Sequence, residues 1–230
     1  MKKTITLSFL LLIFFLSFSQ QFKDNSLGRL KKLSKGTNTY TIETTNGSAR
    51  ISIYNPEIIR IWITREGFQS DFSYSVVGTP QVCIVKFVEA EGMMMIQTDS
   101  LRLEISTDPV RFTLKDIRGN LLNQDDPAFG TSWVGDEVTT YKKIQEGEKF
   151  VGLGEKTGNL DRRGEGYVNW NSDVPGYPVN QDPLYASFPF YIGIHCKVAY
   201  VIYFSIHIKA ILILALRMTG FPVSGQMPAI

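Results

Sequence analysis

Between residues 40 and 105 apolar side chains alternate with polar ones in short runs: Ile51 and Ile53; Ile59, Ile61 and Ile63; Val82 and Ile84; Leu101, Leu103 and Ile105. A period of two places one set of side chains on one face of a pleated strand, so each run predicts a half-buried β-strand. Turn signals separate the runs at short, fairly regular intervals: Asn46-Gly47, Asn55-Pro56, Glu66-Gly67, Gly78-Thr79-Pro80, Glu91-Gly92, Asp108-Pro109 and Arg118-Gly119-Asn120. No amphipathic helix of convincing length interrupts them. The expected fold is all-β, an antiparallel β-sandwich. Residues 111–122 alternate through Phe112 and Leu114 and then turn at Gly119-Asn120, which predicts a hairpin arm. Trp62 and the run Met93, Met94, Met95 read as core and edge packing.

Ahead of this region stand Lys2 and Lys3, then an apolar core from residue 5 to 18 broken by Thr6, Ser8 and Ser17. That pattern is expected to be a secretory signal peptide over residues 1–20, cleaved near Ser19. The apolar stretch falls short of the roughly 20 residues a membrane-spanning helix needs. No Cys follows it to carry a lipid. The chain is therefore expected to be exported, periplasmic or extracellular. Removing the leader takes away two lysines and no acids, so 24 basic against 22 acidic residues becomes 22 against 22. A net charge near zero argues against nucleic-acid binding. Cys83 and Cys196 do not make a disulfide framework, although an exported chain could pair them; both are expected to be buried thiols.

Residues 150–189 are dense in Gly, Pro, Asn, Asp and aromatics and show almost no regular periodicity. A long, ordered, structureless stretch in a compact domain usually lines a binding site, so function is expected here. Gly152, Gly154 and Gly158 spell GxGxxxG, which is not the dinucleotide fingerprint, and no phosphate cradle or cofactor follows from it. Glu155, Asp161, Glu165, Asp173 and Asp182 read mostly as solvated or turn-capping acids, Asp182 before Pro183 being a typical turn starter. Tyr167, Trp170, Tyr177, Tyr185, Phe188, Phe190 and Tyr191 suit a sugar-binding surface, because flat rings present apolar faces to pyranose C–H groups; equally, they suit packing of one sheet on another. His195 and His207 are the two histidines of the chain. With no close Cys cluster they leave no zinc ligand set. His195 beside Cys196 suggests a thiol nucleophile, but strand alternation sends neighbours to opposite faces.

The stretch GLGEKTGNLDRRGEGYVNWNSDVPGY, followed by DPLYASFPFYIGIH, resembles the amino-terminal region of glycoside hydrolase family 31, the α-glucosidase and α-xylosidase family. REGFQSDFSYSVVG at 65–78 and STDPVRFTLKDIRGNLL at 106–122 agree, and the resemblance covers roughly residues 33–200. It implies a β-sandwich like the galactose mutarotase fold, packed against a catalytic (β/α)8 barrel and sending a loop to the rim of the barrel's active site. The matching loop is 170–177. By the same resemblance Asp173 contacts the sugar, flanked by Asn171 and Ser172 and opened by Trp170; a turn-capping role for Asp173 is the alternative. The implied ligand is an α-linked oligosaccharide, held weakly or only with the barrel present, and the implied partner is the barrel itself.

The family's nucleophilic and acid/base aspartates belong to the barrel, so no catalytic residue is assigned here. Residues 21–204 are expected to form the sandwich and 205–230 an aberrant tail. Three accounts of the tail stand. Residues 198–216 are apolar and about long enough to span a membrane, but Ser205, His207 and Lys209 near the middle make a stable span costly. A buried strand plus tail is the second. The third is a shift of reading frame near Phe204, because back-translation in the neighbouring frame yields a sequence resembling the family's continuation; the DNA around that codon decides it. An out-of-frame tail is expected to cost the sandwich a strand. The leading expectation is a carbohydrate-binding or barrel-supporting domain of a truncated retaining α-glucosidase-like hydrolase, inactive alone. A stand-alone exported sugar-binding or surface interaction module is the alternative, and a mutarotase ranks third.

Overall fold

The computed structural model describes residues 25–205 and 210–214. The leader expected over residues 1–20 lies outside them, as does most of the expected tail. Among the described residues there is no helix; the chain runs through antiparallel strands.

The first sheet is a meander of β1 (Leu30–Lys35), β2 (Thr39–Thr44), β3 (Ser48–Asn55) and β4 (Ile58–Thr64). The second is a meander of β5 (Lys86–Ala90), β6 (Met93–Gln97), β7 (Leu101–Thr107), β8 (Val110–Asp116) and β9 (Leu121–Gln124). Six of the seven turn signals close hairpins or end strands as expected, and the β8–β9 arm forms around Gly119-Asn120. Tyr40, Ile42, Ala49, Ile51 and Ile53 from the first sheet meet Met94, Ile96, Leu103, Ile105, Val110 and Phe112 from the second in one buried core. Each fully buried Ile or Leu contributes about 2 kcal/mol relative to an exposed one. This is the expected β-sandwich.

Two local expectations fail. Val82 and Ile84 form no ladder and are 86% and 82% exposed, while Cys83 and Val85 pack against the core. Alternation distinguishes two faces without saying which is inward. Here the odd-numbered face wins because Phe87 of β5 stacks on Tyr40, ring centroids 5.4 Å apart. Nor are both cysteines buried: Cys83 is half-buried, and Cys196 is exposed in a two-residue turn with Lys197, φ 46° and 65°. Both are free thiols.

Beyond a small hairpin of β10 (Thr131–Val134) and β11 (Glu137–Thr140), the chain builds a second cluster. Its strands are β12 (Lys149–Gly154), β13 (Gly166–Asn169), β14 (Ser187–His195), β15 (Val198–Tyr203) and β16 (Ala210–Ile213). The order β12-β14-β15 makes one sheet, and β13 pairs with β16. Phe150, Leu153, Tyr167, Tyr191 and Tyr200 are buried between them with Leu122, Leu212 and Leu214, and Leu101 and Leu114 join this core to the sandwich. Within the expected tail, Ala210 to Ile213 pairs residue for residue with β13, and Leu212 turns inward. Residues 198–203 are strand, and no described helix is long and apolar enough to cross a membrane.

Candidate functional site

The run 150–189 is not one loop. β12, β13 and the start of β14 lie within it, leaving two irregular segments, 155–165 and 170–186. Glycines hide the strand β12 from a periodicity search, because a residue without Cβ shows no alternation. The structure shows why they are there. A Cβ on Gly152 would come within 2.7 Å of the Phe190 carbonyl oxygen, and one on Gly154 within 2.3 Å of the Ala186 carbonyl oxygen. Both have positive φ, and the ladder shifts register between them. The bulge bends β12 against β14 and delivers the chain into the first irregular segment.

That segment is tied down from inside. The Arg162 guanidinium, buried over the Tyr167 ring, donates to the carbonyls of Thr157 and Asn159 at 2.8 and 2.7 Å. The Asp161 carboxylate accepts from the backbone N–H groups of Phe150 and Arg163, both at 3.1 Å. Burial pushes the Asp161 carboxyl up, but those two bonds, with the charges of Lys149 and Arg163, outweigh it and hold it below the usual carboxylate range. A depressed folded-state value contributes stability above the unfolded value of about 3.9 and loses it as pH falls through the folded value. Asp161→Asn should therefore cost about 1 kcal/mol near neutral pH, allowing for solvent screening at a half-exposed group. In thermal unfolding the gap between variant and parent should close below about pH 4. A gap that stays constant down to pH 2 would mean the charge is irrelevant.

The second segment carries the residues singled out by sequence. Trp170 is 50% exposed. Asn171 is exposed, yet its Oδ1 accepts the Ser187 N–H at 2.8 Å, so that oxygen anchors the loop. Ser172 is half-buried and its N–H donates to the Leu184 carbonyl at 3.1 Å. Asp173 is exposed, and its carboxylate has no hydrogen-bond or ion-pair partner among the described residues. The turn-capping alternative for Asp173 thus finds no bond to support it. Beyond it the Tyr185 hydroxyl donates to the Val174 carbonyl at 2.8 Å, and Tyr185 meets Tyr177 edge-on at 6.0 Å.

The aromatic residues divide between the two roles left open. Tyr167 and Tyr191 are core; Trp170, Tyr177, Tyr185, Phe188 and Phe190 are exposed. The acids divide as well. Glu155 accepts the Ala186 N–H. Asp182 is neither solvated nor a simple turn starter: one oxygen takes the Lys156 ammonium and the other the Val168 N–H.

Sequence reasoning missed two buried groups. Lys156, directly after the GLGE motif, has a side chain only 1% exposed. Glu148 is fully buried, one oxygen accepting the Tyr200 hydroxyl and the other the Gln145 N–H, each at 2.7 Å. Burial, with Tyr191 and Glu148 alongside, pushes the Tyr200 hydroxyl upward, so it remains a donor. The buried His195 ring lies 3.9 Å from Glu148 without a hydrogen bond, and Cys196 is exposed on the adjacent turn. This joins β14 to β15 and to the residue before β12; it is not a thiol–imidazole pair.

Residues 48–206 match the family described as the glycosyl hydrolase 31 N-terminal galactose mutarotase-like domain. Alpha-glucosidase 2 of Bacillus thermoamyloliquefaciens is 29% identical over 181 residues, 77% of this chain and 23% of the relative. An alpha-glucosidase of Saccharolobus solfataricus is 39% identical over 77 residues, 34% of this chain and 11% of its own. A GH31 dextranase of Flavobacterium johnsoniae has been solved with glucose and, as a variant, with isomaltotriose. It shows 30% identity and a TM-score of 0.74 over 82% of this chain and 24% of its own. The chain thus spans about a quarter of the length of the first of these relatives and of the dextranase. With the mutarotase-like sandwich, the bulged GLGE strand and the loop it supports all in place, the chain belongs to glycoside hydrolase family 31, as its N-terminal domain region.

Proposed function

We propose that this chain is the exported amino-terminal part of a retaining α-glucosidase-like hydrolase. In this reading the sandwich supports a catalytic (β/α)8 barrel and lends it the 170–177 loop. The loop binds sugar; it does not cleave it. One observation carries the reading: Asp173 offers an unpartnered, exposed carboxylate on a loop fastened beside it through the Asn171 side chain, the Ser172 N–H and the Val174 carbonyl. A carboxylate held in that way can accept hydrogen bonds from two sugar hydroxyls without rearranging. The exposed Trp170 ring beside it offers an apolar face to a pyranose. The solved dextranase that was captured with isomaltotriose supports an α-linked oligosaccharide as the ligand class.

The test grafts the chain's sandwich onto that dextranase in place of the matched region. In the hybrid, Asp173→Ala should lower kcat/KM for dextran by ten- to a hundredfold, the loss of a charge-assisted hydrogen bond of about 1.5–3 kcal/mol. Equal kcat/KM in the two hybrids removes Asp173 from the site. Calorimetric titration of the chain alone with isomaltose or maltose separates the alternative: appreciable heat of binding without a barrel favours a stand-alone sugar-binding module.

A further inference from the structure

We infer that Lys156 is the positioning residue for the sugar-binding loop. Its ammonium fixes both the entry and the exit of the 170–186 segment and so sets where Asp173 stands. The inference rests on the proposed role of that loop.

Lys156 lies just past β12, and its three N–H bonds are fully used. Nζ donates to the Val168 carbonyl at 2.7 Å, to Asp182 Oδ1 at 2.9 Å and to Ser187 Oγ at 2.9 Å. An ammonium has three donors and no acceptor, so this set saturates it. The three acceptors belong to β13, to the turn before Pro183 and to the first residue of β14. Each is relayed. Asp182 Oδ2 accepts the Val168 N–H, so lysine and aspartate together grip both polar groups of one peptide-bearing residue where the loop begins. Ser187 Oγ, accepting from Lys156, is left to donate its hydrogen to the Trp170 carbonyl at 3.0 Å. The Ser187 N–H then holds the Asn171 side chain. One buried cation therefore orders the hydroxyl rotor that ties the loop's exit to its entry, two residues before Asp173.

A buried charge is a costly way to fill space, since a well-packed apolar side chain of similar volume stabilises as well or better. What the ammonium supplies and a methionine cannot is direction: three bonds aimed at three segments. None of its bonds goes to the sandwich core, and all go to the base of the loop.

The test uses the full chain labelled with 5-fluorotryptophan. Its three tryptophans are Trp62, Trp133 and Trp170, and Trp170→Phe assigns the loop signal. Lys156→Met should shift or broaden the Trp170 fluorine resonance while those of Trp62 and Trp133 stay in place. Amide exchange at Ser172 and Ser187 should accelerate at least about tenfold. Ser187→Ala, a milder cut in the same relay, should move the Trp170 resonance in the same way, and it decides the matter if Lys156→Met fails to fold. Asp173→Ala should leave the Trp170 resonance unmoved. An unmoved Trp170 resonance in both Lys156→Met and Ser187→Ala overturns the inference. So does a change spread over all three resonances in Lys156→Met with Ser187→Ala silent, which marks a general structural role. Because these readouts need no sugar, a failure of the Asp173→Ala hybrid leaves them standing, and the two ideas fail separately.

Discussion

Gly154→Ala should lower the stability of this chain by about 3 kcal/mol, although it adds a single methyl group. Two costs add. The backbone at Gly154 has φ +80°, a conformation that costs an L-residue roughly 1–2 kcal/mol. The new Cβ would also stand 2.3 Å from the Ala186 carbonyl oxygen and 2.9 Å from the Phe188 backbone nitrogen, which cannot swing aside as a side-chain tip could. Forcing extra volume into such a contact typically costs 1–3 kcal/mol. For a chain of this size the sum lowers the thermal midpoint by on the order of 10 °C. Gly158→Ala is the internal control: its φ is +82°, but nothing lies within 4 Å of the added atom. It should pay the conformational cost alone, about 1–2 kcal/mol. Calorimetric scans of the two variants therefore isolate the steric part, and equal losses would refute the close approach of β12 to β14.

The second large effect is an absence of turnover. The purified chain should release no nitrophenol from p-nitrophenyl α-glucoside above a contaminant control. Retaining hydrolysis needs two carboxyl groups about 5–5.5 Å apart, one to attack and one to protonate the leaving oxygen. Three of the acids in the two irregular segments are already committed, while Glu165 is exposed with no side-chain bond among the described residues. Glu155 holds the Ala186 N–H, Asp161 holds two backbone N–H groups, and Asp182 is shared between Lys156 and Val168. Asp173 is free to meet a ligand but has no such companion assigned beside it. Sustained turnover that is lost in Asp173→Ala would show that the sandwich itself cleaves glycosides, and would overturn the proposed division of labour between loop and barrel.

Most of the sandwich was legible because its signals are local. Period-two runs such as Ile51 and Ile53, and turn pairs such as Asn46-Gly47, state strand and hairpin without reference to the rest of the chain. The same locality explains the errors. Val82 and Ile84 alternate correctly and still face solvent, because the inward face is chosen by the stacking of Phe87 on Tyr40, residues far apart in sequence. β12 and β13 were hidden inside an apparent loop, since the glycines that let β12 approach β14 also erase its pattern.

The candidate site divides along the same line. Sequence alone determined the fold class, the hairpin turns and the resemblance that singles out Trp170, Asn171, Ser172 and Asp173. The tertiary structure alone decided which of them is free. Asn171 spends its side-chain oxygen on Ser187, while Asp173 spends nothing. It also decided that Lys156, by type a surface residue, is buried, because the partners that neutralise and saturate its ammonium come from 12, 26 and 31 residues away. Local chemistry can be read along a chain. The burial of a charge depends on which distant groups fold around it.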